Sequence, residues 1–237
     1  MNRAMLLNRV ILLALCLALL ACGGTPPEEP QAKTAEAAAA PAGPERWEEA
    51  IQAFEQADRA NPPAKGQIVF VGSSSARRWP LEESFPGLDV LNRGFGGSQI
   101  SDSLHYADRF LIPLEPRTIV FYAGDNDLAG GKSPQTVAQD YRAFAALIHD
   151  RLPQTKIVFI AIKPSIQRWN LVETMREANA LIRAQIEADD RAVFVDVDAP
   201  MIGADGKPRP ELFVEDGLHM TPEGYVLWAS LVRPHLE

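Results

Sequence analysis

Short apolar runs alternate with longer stretches of helical periodicity through most of the chain. Runs of Val, Ile, Leu and Phe on successive positions are typical of strands that are covered on both faces. Apolar residues spaced three and four positions apart predict amphipathic helices. Strands are predicted at 67–71, 88–91, 118–122, 156–162 and 192–197, and helices at 45–59, 100–110, 134–151, 172–188 and 222–236.

This alternation is the pattern of repeated βαβ units. It predicts an α/β fold, a three-layer α/β/α sandwich around a five-stranded parallel sheet. Ser133-Pro134 and Thr221-Pro222 place a capping hydroxyl before a proline, which indicates two helix starts. An open parallel sheet binds its ligand beyond the carboxyl ends of its strands, so the residues that follow each strand are the candidates for chemistry.

The first residues have a different pattern. Arg9 precedes an unbroken apolar stretch at 10–20, which is typical of a secretory signal and too short to span a bilayer. The stretch ends in Leu-Leu-Ala-Cys, which resembles the lipobox of bacterial lipoproteins and implies lipidation of Cys22; an ordinary cleaved signal with a chance Cys is the alternative. By the same resemblance, Gly23 favours the outer membrane.

Residues 23–44 hold five prolines and no Leu, Ile, Val, Phe or other aromatic residue, so they cannot contribute to a core. The expected organisation is therefore a lipoprotein signal peptide at 1–21, the lipidated Cys22 with a disordered Ala/Pro tether at 22–44, and one globular domain at 45–237. Cys16 and Cys22 both precede that domain, which excludes a disulfide framework and a Cys-based zinc site within it.

Charge narrows the possible partners. The chain of 237 residues is 46% hydrophobic and carries 23 basic against 31 acidic residues, a formal charge of −8. Such a surface repels a nucleic-acid backbone, so nucleic acid is not an expected partner. The sequence has no His-Glu-x-x-His motif, so we expect neither a zinc hydrolase nor another metal site.

Three serines follow the first predicted strand, in the segment Gly72-Ser73-Ser74-Ser75. A glycine there permits a sharp turn into a helix, and a hydroxyl on such a turn lies near free helix N–H groups, which suits a nucleophile. The serines could instead cap the helix or bind an anion. A Walker-type phosphate loop is excluded, because no Gly-Lys-Ser/Thr follows.

The next two strand ends carry a glycine-rich loop at 92–98 and the segment Asp125-Asn126-Asp127. The glycines permit close backbone approach to a ligand, although the loop lacks the third glycine of a dinucleotide-binding fingerprint. Asn126 could donate its amide N–H to an oxyanion, whereas in isolation the tripeptide is more typical of an Asx turn. The spacing of later ligand positions excludes a calcium loop.

The strongest single signal lies just before the last predicted helix, where Asp216 precedes His219 by three residues. A tight turn can bring this carboxylate to one ring nitrogen and leave the other nitrogen free as a base. A histidine that only bonds locally at the helix start is the alternative.

These four segments, in this order, resemble the SGNH hydrolases, also called GDSL esterases and lipases, over residues 66–226. The resemblance implies a flavodoxin-like sheet order, with Ser74 as nucleophile and His219 and Asp216 as its partners. It also implies an oxyanion hole formed by Ser74, Gly97 and Asn126.

The match departs at Ser73, where many members have Asp, and this leaves Ser73 and Ser75 as rival nucleophiles. Arg168 and Trp169, after the fourth strand, are similar to a substrate-side loop of the family.

The resemblance implies a serine esterase without a cofactor that hydrolyses acyl or acetyl esters, such as small esters, lipids or O-acetylated glycans. With the predicted anchor, the protein is expected to be exported and tethered to the outer membrane, facing the periplasm of a Gram-negative bacterium. The alternative from another class is a catalytically idle lipoprotein that binds carbohydrate or peptidoglycan. A phosphate-binding protein leaves Asp216 and His219 unexplained.

Overall fold

A computed structural model describes residues 43–236, and they form a five-stranded, wholly parallel sheet. The strands lie in the order β2-β1-β3-β4-β5, which is the flavodoxin-like order and confirms the predicted α/β class. The predicted signal peptide, Cys22 and most of the predicted tether lie outside the described residues. The strands are β1 (Ile68–Gly72), β2 (Val90–Gly94), β3 (Thr118–Tyr122), β4 (Lys156–Ile160) and β5 (Ala192–Val195).

Eight α-helices accompany the sheet in this part of the chain. The predicted helices at 100–110 and 134–151 are confirmed to the residue, whereas the one predicted from 45 begins three residues later, after a short 3-10 turn. Three short helices follow β1, precede β2 and follow β3; the serine turn had indicated a helix after β1, whereas only loops were expected at the other two positions. The helices are α1 (Glu48–Ala60), α2 (Ser74–Arg77), α3 (Leu81–Ser84), α4 (Ile100–Phe110), α5 (Asp125–Ala129), α6 (Pro134–Arg151), α7 (Val172–Ile186) and α8 (Pro222–Val232).

The fourth strand ends at Ile160, two residues before the predicted end. The cause is Asn179 of α7, whose side chain takes the place of a neighbouring strand. Its Oδ1 accepts from the Ile162 N–H at 2.8 Å, and its Nδ2 donates to the Ile162 carbonyl at 2.9 Å. A buried polar side chain therefore satisfies the backbone where the sheet stops.

Two apolar cores lie on the two faces of the sheet, because successive side chains of each strand point to opposite faces. Phe121 of β3 packs with α1, α4, α6 and α7, and stacks on Phe144 with ring centroids 4.2 Å apart. Val120 and Tyr122 of the same strand point to the other core, which α8 and α3 cover. The helices of the described part include none that is both long and apolar enough to cross a membrane.

Gly72 ends β1 in a conformation with φ of +127°, at a point where the backbone of β3 is very close. A Cβ added to Gly72 would lie 1.8 Å from the carbonyl oxygen of Tyr122. The next residue, Ser73, donates its N–H to that same carbonyl at 2.9 Å. The turn into α2 therefore requires glycine for both its dihedral angle and its lack of a side chain.

We expect Gly72→Ala to lower the free energy of unfolding by at least about 3 kcal/mol or to prevent folding. Left-handed strain of about 1–2 kcal/mol adds here to an overpacking cost of about 1–3 kcal/mol. Gly87→Ala is the matched control, because Gly87 also has a positive φ, of +82°, but nothing within 4 Å of an added Cβ. Urea denaturation of both variants measures the difference, and equal losses would contradict this account of the turn.

Candidate active site

The strand order explains why residues far apart in the sequence meet at one end of the sheet. β1 lies between β2 and β3, so the turn that follows β1 is flanked by the loop after β2 and by the helix after β3. The chain forms β2 on one side of β1 and then β3 on the other, and this reversal of strand order at β1 is the switch point at which open α/β sheets form their crevice. Ser74, Gly97 and Asn126 follow these three strands.

Ser74 is the first residue of α2, and it differs from both neighbouring serines in exposure. Ser73 and Ser75 are 1% and 2% exposed, whereas Ser74 is half-buried. The Ser74 hydroxyl lies 2.8 Å from His219 Nε2, across a separation of 145 residues. Burial therefore separates Ser74 from the two rival assignments, since a nucleophile must be open to its substrate.

His219 is held between Ser74 and a carboxylate. Its Nδ1 lies 2.6 Å from Asp216 Oδ2, on the opposite side of the ring from Ser74. An ionised carboxylate can only accept a hydrogen bond, so Nδ1 carries the proton and Nε2 accepts from the Ser74 hydroxyl. The three side chains form a continuous chain of hydrogen bonds that ends on the half-buried serine.

Asp216 is anchored by more than the imidazole. Its Oδ1 accepts from the backbone N–H groups of Leu218 and His219, both at 2.8 Å. Burial raises the pKa of this carboxyl, but the hydrogen bonds from the His219 ring and from the two N–H groups outweigh it, and the net pKa lies well below the usual range. Asp216 is therefore a fixed anion that orients the ring at neutral pH.

The entry into α8 sets the position of His219. An antiparallel bridge joins Phe213 to Met220, and Thr221 caps the helix by accepting the Gly224 N–H at 3.2 Å. Within α8, the buried Tyr225 donates its hydroxyl to the Ser75 carbonyl at 3.0 Å. Tyr225 thus connects α8, which directly follows His219, to the serine turn. The apolar periodicity of this helix in the sequence did not indicate that role.

The predicted oxyanion donors lie on two neighbouring segments, the loop after β2 and the short helix α5, which a hydrogen bond joins. Gly97 adopts a φ of +80° in the loop after β2. Asn126 lies in α5, after the left-handed Gly124, and its Nδ2 donates to the Ser98 carbonyl at 3.1 Å. The segment is a short helix and not an Asx turn, and it presents the amide towards the glycine loop.

Trp47 also lies at this loop, and no pattern in the sequence indicated its position there. Its ring packs edge-on against Phe95, and a Cβ at Gly97 would come within 3.2 Å of it. Its Nε1 donates to Asp102 at 3.0 Å, and Asp102 also accepts the Gln99 N–H. A residue from the start of the domain therefore supports the loop after β2, and only tertiary structure could reveal this.

The two carboxylates that flank Asn126 have structural partners. Asp127 is fully buried, accepts from the Ile100 N–H and lies 2.9 Å from Lys132 Nζ. Burial raises the pKa of Asp127 to about 6, although Lys132 opposes the shift. Asp125 is buried beside Lys163 and Arg168. Their position after a strand end had made both carboxylates candidates for chemistry, whereas the structure pairs each of them with a cation within the fold.

Arg168 and Trp169, the two residues of the predicted substrate-side loop, have different surroundings. Arg168 Nη2 donates to Asn126 Oδ1 at 3.0 Å, so this side chain lies at the site. Trp169 packs under Lys207, whose Nζ lies 5.0 Å from the ring centroid. A substrate contact for Trp169 stays a prediction.

Hydrogen-bond geometry, and not cavity size, marks this site. A groove of about 990 Å³ lies between α6 and α7, and neither Ser74, His219 nor Asn126 is among its lining residues. A nucleophile bonded to a base, a base bonded to an anion and adjacent amide donors together form the arrangement required for acyl transfer.

Comparisons with known proteins identify the family and the fold. The family model described as GDSL-like Lipase/Acylhydrolase family matches residues 69–227. Subunit alpha1 of human platelet-activating factor acetylhydrolase IB is 29% identical over 168 residues, which are 67% of this chain and 70% of that protein.

Two solved structures share the fold at lower identity. A GDSL-like lipase from Bacteroides thetaiotaomicron superposes with a TM-score of 0.69 at 21% identity, and the match covers 78% of this chain and 96% of the lipase chain. A carbohydrate esterase family 3 protein from Talaromyces cellulolyticus superposes with a TM-score of 0.59 at 17% identity, and the match covers 72% of this chain and 96% of the esterase chain. Since the family model spans more than half of the sequence, the chain belongs to the GDSL-like lipase/acylhydrolase family, also called the SGNH hydrolases.

Proposed function

We propose that the protein is a serine esterase that hydrolyses acyl or acetyl esters through Ser74, His219 and Asp216. The observation that carries the proposal is the unbroken hydrogen-bond chain from Asp216 through His219 to the half-buried Ser74. Family membership supports ester hydrolysis as the reaction class. Relatives named as an acetylhydrolase and a carbohydrate esterase support small acyl groups, on lipid or glycan, as the substrate class.

The mechanism follows from the protonation states. Ser74 Oγ attacks the ester carbonyl carbon while its proton passes to His219 Nε2, and Asp216 stabilises the resulting imidazolium. The carbonyl oxygen becomes an oxyanion, to which the Ser74 and Gly97 N–H groups and the Asn126 amide donate. The imidazolium then protonates the leaving alcohol, and an acyl-serine remains.

Water completes the reaction by the reverse sequence. His219 removes a proton from water as its oxygen attacks the acyl carbon, and the same proton returns to Ser74 as the carboxylic acid leaves. Protons thus pass only among serine, the leaving alcohol, water and one imidazole, so the cycle requires no metal or redox cofactor.

The alternative function is a catalytically idle binding protein of the same fold. Two features favour the esterase. The triad residues are hydrogen-bonded in the order required for catalysis, and the half-buried Arg168 and the Ser98 carbonyl fix the amide of Asn126. A protein that only binds ligand has no requirement for a base aligned on a serine hydroxyl.

Replacement of Ser74 or His219 by Ala is expected to abolish hydrolysis of p-nitrophenyl acetate. Each loss should be on the order of a millionfold, the scale found for the serine and histidine of subtilisin, because the two residues act as one unit. Steady-state kinetics with the purified protein give the comparison.

Ser75→Ala is the matched control, because Ser75 is adjacent but buried. It should keep activity within about tenfold of wild type, the effect of a modest change in packing. Full activity in Ser74→Ala together with loss in Ser75→Ala or Ser73→Ala would transfer the nucleophile to that residue.

We further propose that the protein is exported, acylated at Cys22 and held at the outer membrane, with the domain facing the periplasm. The support is the sequence pattern alone: an apolar stretch at 10–20, the Leu-Leu-Ala-Cys ending, and Gly23 directly after the Cys. Several acyl chains on one cysteine give stable anchoring at about 0.8 kcal/mol per buried methylene.

Metabolic labelling with palmitate in a bacterial host tests the anchor. Wild type and Cys16→Ser should both incorporate the label, because Cys16 lies within the apolar stretch that is removed with the signal. Cys22→Ser should lose it and appear in the soluble periplasmic fraction. Undiminished labelling of Cys22→Ser would contradict the lipobox interpretation.

A further inference from the structure

The side-chain amide of Asn126 is held from both sides. Arg168 Nη2 donates to its Oδ1 at 3.0 Å, and its Nδ2 donates to the Ser98 carbonyl at 3.1 Å. An amide NH₂ group carries two hydrogens. One hydrogen is used by Ser98, and the other has no partner among the described residues, so it is available to an oxyanion.

These two contacts select one of the two orientations of the amide. Rotation by 180° would place the NH₂ group against the Arg168 guanidinium, donor against donor. It would also place Oδ1 against the Ser98 carbonyl, acceptor against acceptor. Only the orientation in which Nδ2 faces the glycine loop satisfies both neighbours, and the guanidinium is the stronger partner because it is charged.

Arg168 is itself held in place by buried charge. Its Nη1 lies 3.0 Å from Asp125 Oδ2, and Lys163 Nζ lies 3.6 Å from the same oxygen. Asp125 and Lys163 are 4% and 1% exposed. The planar fork of the guanidinium reaches Asp125 with one arm and Asn126 with the other, which a lysine ammonium cannot reproduce with the same geometry.

The cation also affects the strength of the amide as a donor. A hydrogen bond accepted by Oδ1 polarises the amide, and chains of hydrogen bonds strengthen one another by about 10–30%. The guanidinium adds a fixed positive charge close to the atom that donates to the oxyanion, where preorganised charge stabilises the transition state.

We propose that Arg168 is a positioning residue for the oxyanion hole, which fixes and polarises the amide of Asn126 while Asp125, itself paired with Lys163, holds Arg168 in register. This inference rests on the proposed esterase function. It differs from a substrate-side role, in which Arg168 would bind the substrate itself and act independently of Asn126.

A double-mutant cycle on p-nitrophenyl acetate separates the two roles. Asn126→Ala should lower kcat by about a hundredfold to a thousandfold, the scale of one oxyanion donor. Arg168→Ala should lower kcat by at least about tenfold with KM within twofold of wild type, because the contribution appears only in the transition state. In the Asn126→Ala background, Arg168→Ala should change kcat by less than about twofold, since the residue acts through the absent amide.

The same double-mutant cycle is measured with Arg168→Lys and Arg168→Gln in place of Arg168→Ala. These variants provide the test if the alanine variant does not fold. Lysine keeps the charge but loses one arm of the fork, so most of the loss should remain. Arg176→Ala is the matched control, because Arg176 also pairs with carboxylates, Asp198 and Glu173, but on the surface of α7. It should leave kcat unchanged.

The positioning role would be overturned if the loss of kcat in the double variant equalled the product of the losses in the two single variants. A rise in KM with unchanged kcat in Arg168→Ala would overturn it too. Wild-type kcat in Arg168→Ala or in Asn126→Ala would overturn it as well. These outcomes are distinct from failure of the proposed function, which would appear as undiminished hydrolysis in Ser74→Ala. If Ser74→Ala is inactive but the Arg168 and Asn126 losses of kcat multiply in the double variant, only the role of Arg168 is refuted.

Discussion

The hydrogen bond of 2.8 Å between Ser74 and His219 joins the turn after the first strand to the entry of the last helix. Neither residue is placed by its local sequence alone. Gly72 permits the turn, and Tyr225 and the buried Trp228 hold α8 against the sheet. The apolar core on this face therefore determines whether the base reaches the nucleophile.

The oxyanion side of the site is held in a different way, by charges within the fold. Burial lowers the pKa of Lys163, and the carboxylate of Asp125 opposes this shift. Removing one partner of such a buried group leaves an uncompensated charge, which costs several kcal/mol. The cluster of Asp125, Lys163 and Arg168 thus links stability to the orientation of a single amide.

The strands and long helices could be predicted from the sequence because periodicity and caps are local. Helix α6 illustrates this, since Ser133 accepts the Thr136 N–H and Pro134 occupies the first turn, as the Ser-Pro pair predicted. The end of β4 could not be predicted, because it depends on Asn179 from a helix that follows it in the chain.

The same distinction holds for the site. Short motifs at strand ends and before the last helix identified Ser74, Asn126, Asp216 and His219 as candidates, whereas their meeting at one end of the sheet depends on strand order and packing. The support from Trp47, Tyr225 and Lys163 was not apparent, because an aromatic residue or a lysine in an apolar run has the same local pattern whether it packs in a core or supports a loop. Whether such a residue supports the site depends on its contacts with residues more than 35 positions away in the sequence.

The most direct measurement of the central claim is covalent labelling with a fluorophosphonate probe, followed by peptide mapping of the adduct. An activated serine loses its proton to the adjacent base and displaces fluoride from phosphorus, so the account predicts one adduct, on Ser74, that disappears in His219→Ala. An adduct on Ser73, Ser75 or any other residue would contradict it. So would the absence of an adduct on wild-type protein.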